Sequence, residues 1–394
     1  MRNLAILLLA ATSLSACGGG GDAQSVSANV AVPGQVVTGT GTTAAPGSGT
    51  GVTAGSATSS TNTPAGTFLE VSTETSFNAV GSVHTLSDKS GGVIYAGNAS
   101  TVRAPSGTIS YNPRDGIFTL KVADTKANAS IDMRYQDPAH RADFSGVYKP
   151  TFGVPNLIGF NYIEALGPGG ATKLGVDLIT FFYQRPGNST NFVSLAGYVR
   201  DNTATDTRIF ERGVFVFGTS TPQGQIPATG TASYTGGFAA SMVNNPTLAT
   251  ASPEPSYFQW ITGNSTVGVD FARSSLTLGL TGQVGEAVSI SGIVPANAIA
   301  AGSTFTASGT AILNFAQSGG FSGVFQNAQF VNRGVTTSVA FQAVNPGNSV
   351  AGASSIDGAF YGPNAVNVGG NFRIIGGIPN QRIDILGAFA GAKK

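Results

Sequence analysis

The sequence predicts an all-β protein whose strands pair antiparallel and close into a sandwich or a barrel. Three observations predict it. Apolar and polar residues alternate with period two, and no stretch after residue 67 sustains apolar residues at helical spacing. Turn signals such as Ser318-Gly319-Gly320, Asn345-Pro346-Gly347 and Gly376-Gly377 break the chain at short intervals. Glycine numbers 55 of 394 residues without a three-residue period, which suits bent barrel strands and excludes collagen.

The chain opens on an address rather than on fold. Met1-Arg2-Asn3 is basic, Leu4 to Ala11 is apolar, and Leu14-Ser15-Ala16-Cys17 follows. These are the three parts of an export signal over residues 1–16, and the apolar run is too short to span a bilayer as a helix. Residues 17–66 are Cys17 and, from Gly18 on, a tether of mostly Gly, Ser, Thr, Ala and Val, with Asp22 as its only charge and no aromatic residue. Such a composition cannot bury enough apolar area to offset its ordering entropy. As a flexible coil of about 49 residues it reaches roughly 35–42 Å.

Two folded regions follow, residues 67–217 and 218–394, with the boundary in the stretch Gly218 to Pro227. The first holds most of the charges and both histidines; the second is glycine-rich and sparsely charged. Short helices or turns are expected to interrupt the first near Asn156–Leu166. In the second, Leu276, Leu278 and Leu280 alternate with Thr277, Gly279 and Thr281, Phe321, Gly323 and Phe325 share a face, and Ile383 and Ile385 flank Asp384. Strand centres are expected at Tyr234, Val269, Leu278, Ile290, Ala311, Val324, Phe360 and Ile385. Eight strands make a barrel whose interior is filled by side chains or holds one small ligand.

Composition excludes several functions. Twenty Lys and Arg against 19 Asp and Glu give a net charge of +1, which leaves no field to attract nucleic acid. One Cys, two His and three Met rule out a disulfide framework, a Cys-rich zinc site and a methionine-rich copper site. Gly263-Asn264-Ser265-Thr266-Val267-Gly268 and Gly347-Asn348-Ser349-Val350-Ala351-Gly352 lack the spacing of a serine nucleophile elbow, and Gly167-Pro168-Gly169-Gly170 reads as a turn rather than a phosphate loop. Glu70, Glu74, Asp132, Asp137 and Glu211 select no catalytic pair and read as surface carboxylates. His84 and His140 could ligate a haem iron, but each sits in a polar or turn-rich stretch that suits a structural histidine. Phe181-Phe182-Tyr183, Tyr135 and Phe144 read as core, with a protein-binding surface as the alternative. Trp260, beside Tyr257 and Phe258, reads as a barrel anchor.

Two resemblances add to this reading. Leu14-Ser15-Ala16-Cys17 resembles the bacterial lipoprotein signal, which implies cleavage before Cys17 and acyl chains such as palmitate on it; Gly18 in place of Asp implies sorting to the outer membrane. In the second half, three passages resemble the C-terminal barrel of transferrin-binding-protein-B-like surface lipoproteins. They are Val216-Phe217-Gly218-Thr219-Ser220-Thr221 with Ile226-Pro227 and Gly230 to Gly236; Val269 to Gly282; and Ile356-Asp357-Gly358-Ala359-Phe360-Tyr361-Gly362-Pro363-Asn364-Ala365 ending in Gly369-Gly370-Asn371-Phe372. The last matches a phrase of the type G-x-F-Y-G-P-x-A-x-E-x-G-G-x-F except that Asn367 stands at the acidic position, which implies one lost internal hydrogen bond or ion pair.

The resemblance implies an eight-stranded antiparallel barrel preceded by a handle-like sheet, on a lipoprotein at the cell surface of a Gram-negative bacterium. It implies capture of a nutrient or host protein for iron or haem acquisition, beside a TonB-dependent receptor and with an iron or haem carrier as partner. Gly218, Pro227, Gly230, Tyr234, Gly236, Gly358, Phe360, Gly362, Pro363, Gly369 and Gly370 are then barrel scaffold, with the Tyr234 hydroxyl placed on a backbone partner. No resident cofactor and no catalysis are expected. The alternative function is a structural or adhesive envelope lipoprotein without a small ligand.

Overall fold

The computed structural model describes residues 68–87, 94–96, 105, 107–124, 129–136, 153–184, 190–244, 256–289, 294, 296, 298–315, 319–341, 354–378 and 381–394. The export signal, Cys17, the tether, Asp137, His140, Phe144 and Ile290 lie outside these residues.

The fold is all-β, a handle sheet followed by an eight-stranded antiparallel barrel. The handle holds β1 (Thr75–Ser87), β2 (Ile94–Ala96), β3 (Gly107–Asn112), β4 (Ile117–Asp124), β5 (Ala129–Gln136), β6 (Phe160–Ala171), β7 (Val176–Gln184), β8 (Val193–Asn202) and β9 (Ile209–Gly218). These run β5-β4-β3-β1-β9-β8-β7-β6, with β2 beside β1. The sheet curls, so that β4 and β5 lie over β7. Phe118 meets Phe181 and Tyr183 at ring separations of 5.6 and 4.5 Å, and Tyr135 stacks on Phe181 at 5.5 Å. The stretch near Asn156–Leu166 is not helical: a turn over residues 153–159 leads straight into β6.

The barrel holds β10 (Thr231–Asn244), β11 (Tyr257–Asp270), β12 (Ser275–Val284), β13 (Thr304–Asn314), β14 (Gly320–Asn332), β15 (Val335–Ser338), β16 (Ala340–Phe341), β17 (Ser354–Tyr361), β18 (Asn367–Ile378) and β19 (Gln381–Lys393). The ring closes as β10-β11-β12-β13-β14-β17-β18-β19, with β19 returning to β10; β15 folds back to pair antiparallel with β14, and β16 pairs with β18. Seven of the eight expected strand centres fall in these strands. The eighth barrel strand is β18, whose residues are buried on both faces for most of its length. Gly376-Gly377 is no turn but part of β18, paired with Ile383 and Arg382.

The barrel interior is packed with side chains. Leu276, Leu278 and Leu280 line one wall, and Phe238, Phe305, Phe321, Phe325, Phe360, Phe372 and Phe389 fill the middle. Phe238 meets Phe372 edge-on at 6.1 Å and Phe325 meets Phe372 at 5.7 Å. Each such side chain removed from water contributes about 1.5–3 kcal/mol. Gly358 is required in this packing: a Cβ there would run into the Phe321 ring and the Gly369 carbonyl.

The outer face of the handle sheet lies against the barrel wall. Val80, Val214 and Val216 pack with Ala239, Phe258 and Ala388, and Phe182 meets Trp260 edge-on at 5.8 Å. Strands β8 and β9 are therefore buried on both faces.

Candidate functional site: the seam between handle and barrel

Charge is scarce in this chain, so the places where it is buried stand out. The first is the seam between the two sheets. His84 on β1 lies directly opposite Arg212 on β9. Both fall on the barrel-facing side of their strands, in phase with Val80 and Val214. The facing wall supplies Ser241 from β10, Phe258 and Trp260 from β11, Arg373 from β18 and Asp384 from β19.

His84 Nδ1 is 3.0 Å from Ser241 Oγ, and its Nε2 is 4.0 Å from Asp384 Oδ1. Asp384 is gripped in turn by Arg373, whose Nη2 donates to Oδ2 at 2.9 Å. An Nε2-protonated, neutral imidazole fits both contacts: Ser241 donates to Nδ1 while Nε2–H faces the carboxylate. Burial, with Arg373 and Arg212 nearby, holds the His84 pKa well below its usual 6.5. Burial also raises that of Asp384, against the pull of Arg373. Ser, His and Asp are the residue types of a hydrolytic triad. Here they are 1, 0 and 3% exposed, so the hydroxyl is closed in by protein and the trio acts as a clamp between sheets.

Arg212 is fully buried. Its guanidinium carbon sits 5.3, 4.9 and 5.0 Å from the ring centroids of Phe210, Phe258 and Trp260. The rings attract the cation; burial lowers its pKa to about 9, which leaves it charged at neutral pH. The Trp260 indole N–H donates to the Gly153 carbonyl at 2.8 Å, closing that end of the seam.

The second buried cluster lies on the other side of β9, inside the handle. Arg200 forks onto Asp177, with Nε and Nη2 donating at 2.8 and 2.9 Å, and its Nη1 donates to Glu211 at 3.3 Å. Tyr198 donates its hydroxyl to Glu211 at 3.4 Å. Burial outweighs these partners and raises the Glu211 pKa from 4.5 to about 6. Gly169 N–H donates to Asp177 Oδ2 at 2.9 Å; Gly167 to Gly170 form an irregularity inside β6, where the register slips between Leu166 and Ala171.

A third junction joins the two regions covalently. After β9 ends at Gly218, Thr219 accepts from Gly362 N–H at 2.8 Å and Thr221 N–H donates to the Phe360 carbonyl at 2.9 Å. Gly362 has φ +72°, a region that only glycine enters freely, and Pro363 then begins a short 3₁₀ turn. Asn367 Oδ1 accepts from Phe192 N–H at 3.0 Å. An amide oxygen thus takes a handle N–H, so the departure from the acidic residue keeps an acceptor in place. Tyr234 donates its hydroxyl to the Ala365 carbonyl at 2.7 Å and packs on Phe360 at 6.1 Å. Gly230 turns into β10 with φ +83°, Gly236 pairs with both Ser265 and Gly391, Pro227 lies in the connector just after Ile226, and Gly369 and Gly370 lie in β18 opposite Ala359 and Gly358.

Several expectations change. Glu211 is not a surface carboxylate but is 1% exposed. His84 is not in a turn but in β1, buried too deeply to meet a haem. Glu70, Glu74 and Asp132 are exposed. Phe181, Phe182, Tyr183 and Tyr135 are core. Trp260 points out of the barrel into the seam rather than into the barrel interior. Arg212, Ser241, Arg200 and Asp177 escaped the sequence reading. The signal for the first was present: Glu211-Arg212 stands between Ile209-Phe210 and Gly213-Val214-Phe215, two adjacent charges inside a strand too apolar to face water.

The comparisons bear on the barrel. No curated protein sequence matches the chain. Among solved structures it is similar to intact Ap-TbpB with its N and C lobes, at 12% identity and TM-score 0.30, covering 82% of this chain and 77% of that one. It is also similar to a double mutant of the vaccine antigen Transferrin Binding Protein B from Haemophilus parasuis Hp5, at 12% identity and TM-score 0.31, covering 82% and 76%. These superpositions are loose. The sequence match is local: residues 226–394 fit the family described as the C-lobe and N-lobe beta barrels of Tf-binding protein B, and they are the same residues that build β10 to β19. Residues 226–394 are a transferrin-binding-protein-B-like β-barrel domain.

Proposed function

We propose that this protein is a non-catalytic surface lipoprotein that captures an iron-bearing host protein or nutrient at the Gram-negative outer membrane. Cys17 anchors it, residues 18–66 extend it, the barrel supplies a rigid base, and the handle and barrel loops make the contact. The observation that carries the reading is the barrel domain over residues 226–394, matched to a family named for binding transferrin. Its filled interior supports a macromolecular ligand on the outer surface over a small molecule inside the barrel.

Two measurements test it. Immobilised protein is challenged with iron-loaded and iron-free transferrin, with haem carriers and with whole growth fluid. Saturable retention of one carrier is expected, and no saturable binding to any of them overturns capture and leaves the adhesive role. Labelled palmitate is expected to enter the wild-type protein and not Cys17→Ser; an unlabelled wild type overturns the anchor.

A further inference from the structure

Arg212 carries more charge than its surroundings answer. None of Nε, Nη1 and Nη2 has a hydrogen-bond partner among the described residues. The groups that face it can be counted element by element. Burial, with Arg373 and Arg212 nearby, holds the His84 pKa on β1 well below 6.5 and so disfavours a charge there. Arg373 on β18 and Asp384 on β19 cancel each other. Glu211, its neighbour on β9, points into the handle and pairs with Arg200. The seam therefore holds one uncompensated positive charge.

The aromatic rings do not discharge it. A guanidinium presents its N–H donors in its own plane, and a ring face accepts the cation without accepting those donors along their lines. Ser82, two residues along β1 from His84 and on the same face, is 2% exposed, and its hydroxyl has no hydrogen-bond partner among the described residues. Gly153 stands beside the guanidinium without a side chain: a Cβ there would lie 3.9 Å from Nη2, in ordinary van der Waals contact. The missing acceptor must be small, singly charged and indifferent to direction.

We propose that the seam between handle and barrel binds a halide ion, held by the Arg212 guanidinium between Phe210, Phe258 and Trp260. A bound halide neutralises the seam and fastens the handle to the barrel.

The test is thermal unfolding of the full protein at fixed pH and ionic strength, with sodium chloride or bromide replacing sodium gluconate over about three decades of concentration. The wild-type Tm is expected to climb with the logarithm of halide concentration, and the Arg212→Met variant to show a flat response. Arg212→Lys keeps the charge but loses the fork, and is expected to need about tenfold more halide for the same rise. If Arg212→Met does not fold, the lysine variant and crystals grown in bromide decide the matter: an anomalous peak against Arg212 supports the site. A wild-type Tm indifferent to halide, an identical response in Arg212→Met or Arg212→Lys, or bromide found only elsewhere overturns it.

Discussion

Strands β9 and β12 are each ten residues long and antiparallel to both neighbours, yet they read differently. β12 buries Leu276, Leu278, Leu280 and Val284 and exposes most of what lies between. β9 is buried from Phe210 through Phe217. The difference is one of cover, not of strand geometry. β12 has the barrel core on one side and water on the other, whereas β9 has the handle core on one side and the barrel wall on the other. Alternation reports how many faces of a sheet are dry, and a charge placed in a doubly dry strand cannot escape to solvent.

The largest expected effects test this difference directly. In β9, substitutions at neighbouring positions should both be costly: Phe215→Ala by about 3–5 kcal/mol and Val214→Ala by about 2 kcal/mol. In β12, Leu278→Ala should cost about 2–5 kcal/mol, while its exposed strand-mate Thr281→Ala should stay within about 0.5 kcal/mol. Urea unfolding of the four variants measures it. A cheap Val214→Ala would mean that the handle is not packed on the barrel.

Next comes the clamp across the seam. Asp384→Ala leaves the partly buried Arg373 without this carboxylate and should cost about 3 kcal/mol, whereas the double change Asp384→Leu with Arg373→Met should recover most of that loss. With the single changes Asp384→Leu and Arg373→Met added, the double-mutant cycle separates the pair from the packing. Arg212 is the opposite case, since its carboxylate partner is already lacking among the described residues. Arg212→Met should be neutral or stabilising by about 1–4 kcal/mol in gluconate, and a large loss there would mean that the three rings hold the cation more tightly than desolvation opposes it.

The same contrast decides what could be read from the sequence. The barrel was legible because its strands show alternation and because Gly358, Tyr361, Gly362 and Pro363 mark one conformational knot, where Gly362 turns with positive φ and Thr221 bonds back to Phe360. β18 was not legible as a strand. Its Gly369-Gly370 and Gly376-Gly377 look like turn signals, yet in β18 they are paired on both sides, and a Cβ at Gly370 would run into the Asp357 carbonyl and lie 3.1 Å from the Phe389 ring. The seam was the least legible part. Asp384 between Ile383 and Ile385 has the pattern of a residue facing water, and it does face out of the barrel; only the handle, folded against it from more than 150 residues upstream as the His84–Ser241 separation of 157 attests, turns that exposed position into a buried one. Local pattern fixes which side of a strand a residue occupies, and cannot tell what covers that side.

The smallest effect expected is a difference in pH dependence between the two faces of β9 and β1. Glu211, on the handle side, has its pKa raised from 4.5 to about 6. The folded state therefore binds its proton more readily than the unfolded chain. The stability this lends is complete below 4.5 and is lost as pH rises through about 6, a change of about 2 kcal/mol. His84, on the seam side, has its pKa lowered below 6.5. Here the unfolded chain takes the proton more readily, so stability is complete above 6.5 and is lost as pH falls below it. The two slopes oppose each other on the acid side of neutrality. Urea midpoints measured from pH 4.5 to 8 should show this when each group is removed in turn: Glu211→Gln steepens the acid decline, because the compensating proton uptake is gone, and His84→Gln makes it shallower. Equal curves for the two variants would place both side chains in the same electrostatic setting, contrary to a strand pair with one face on each core.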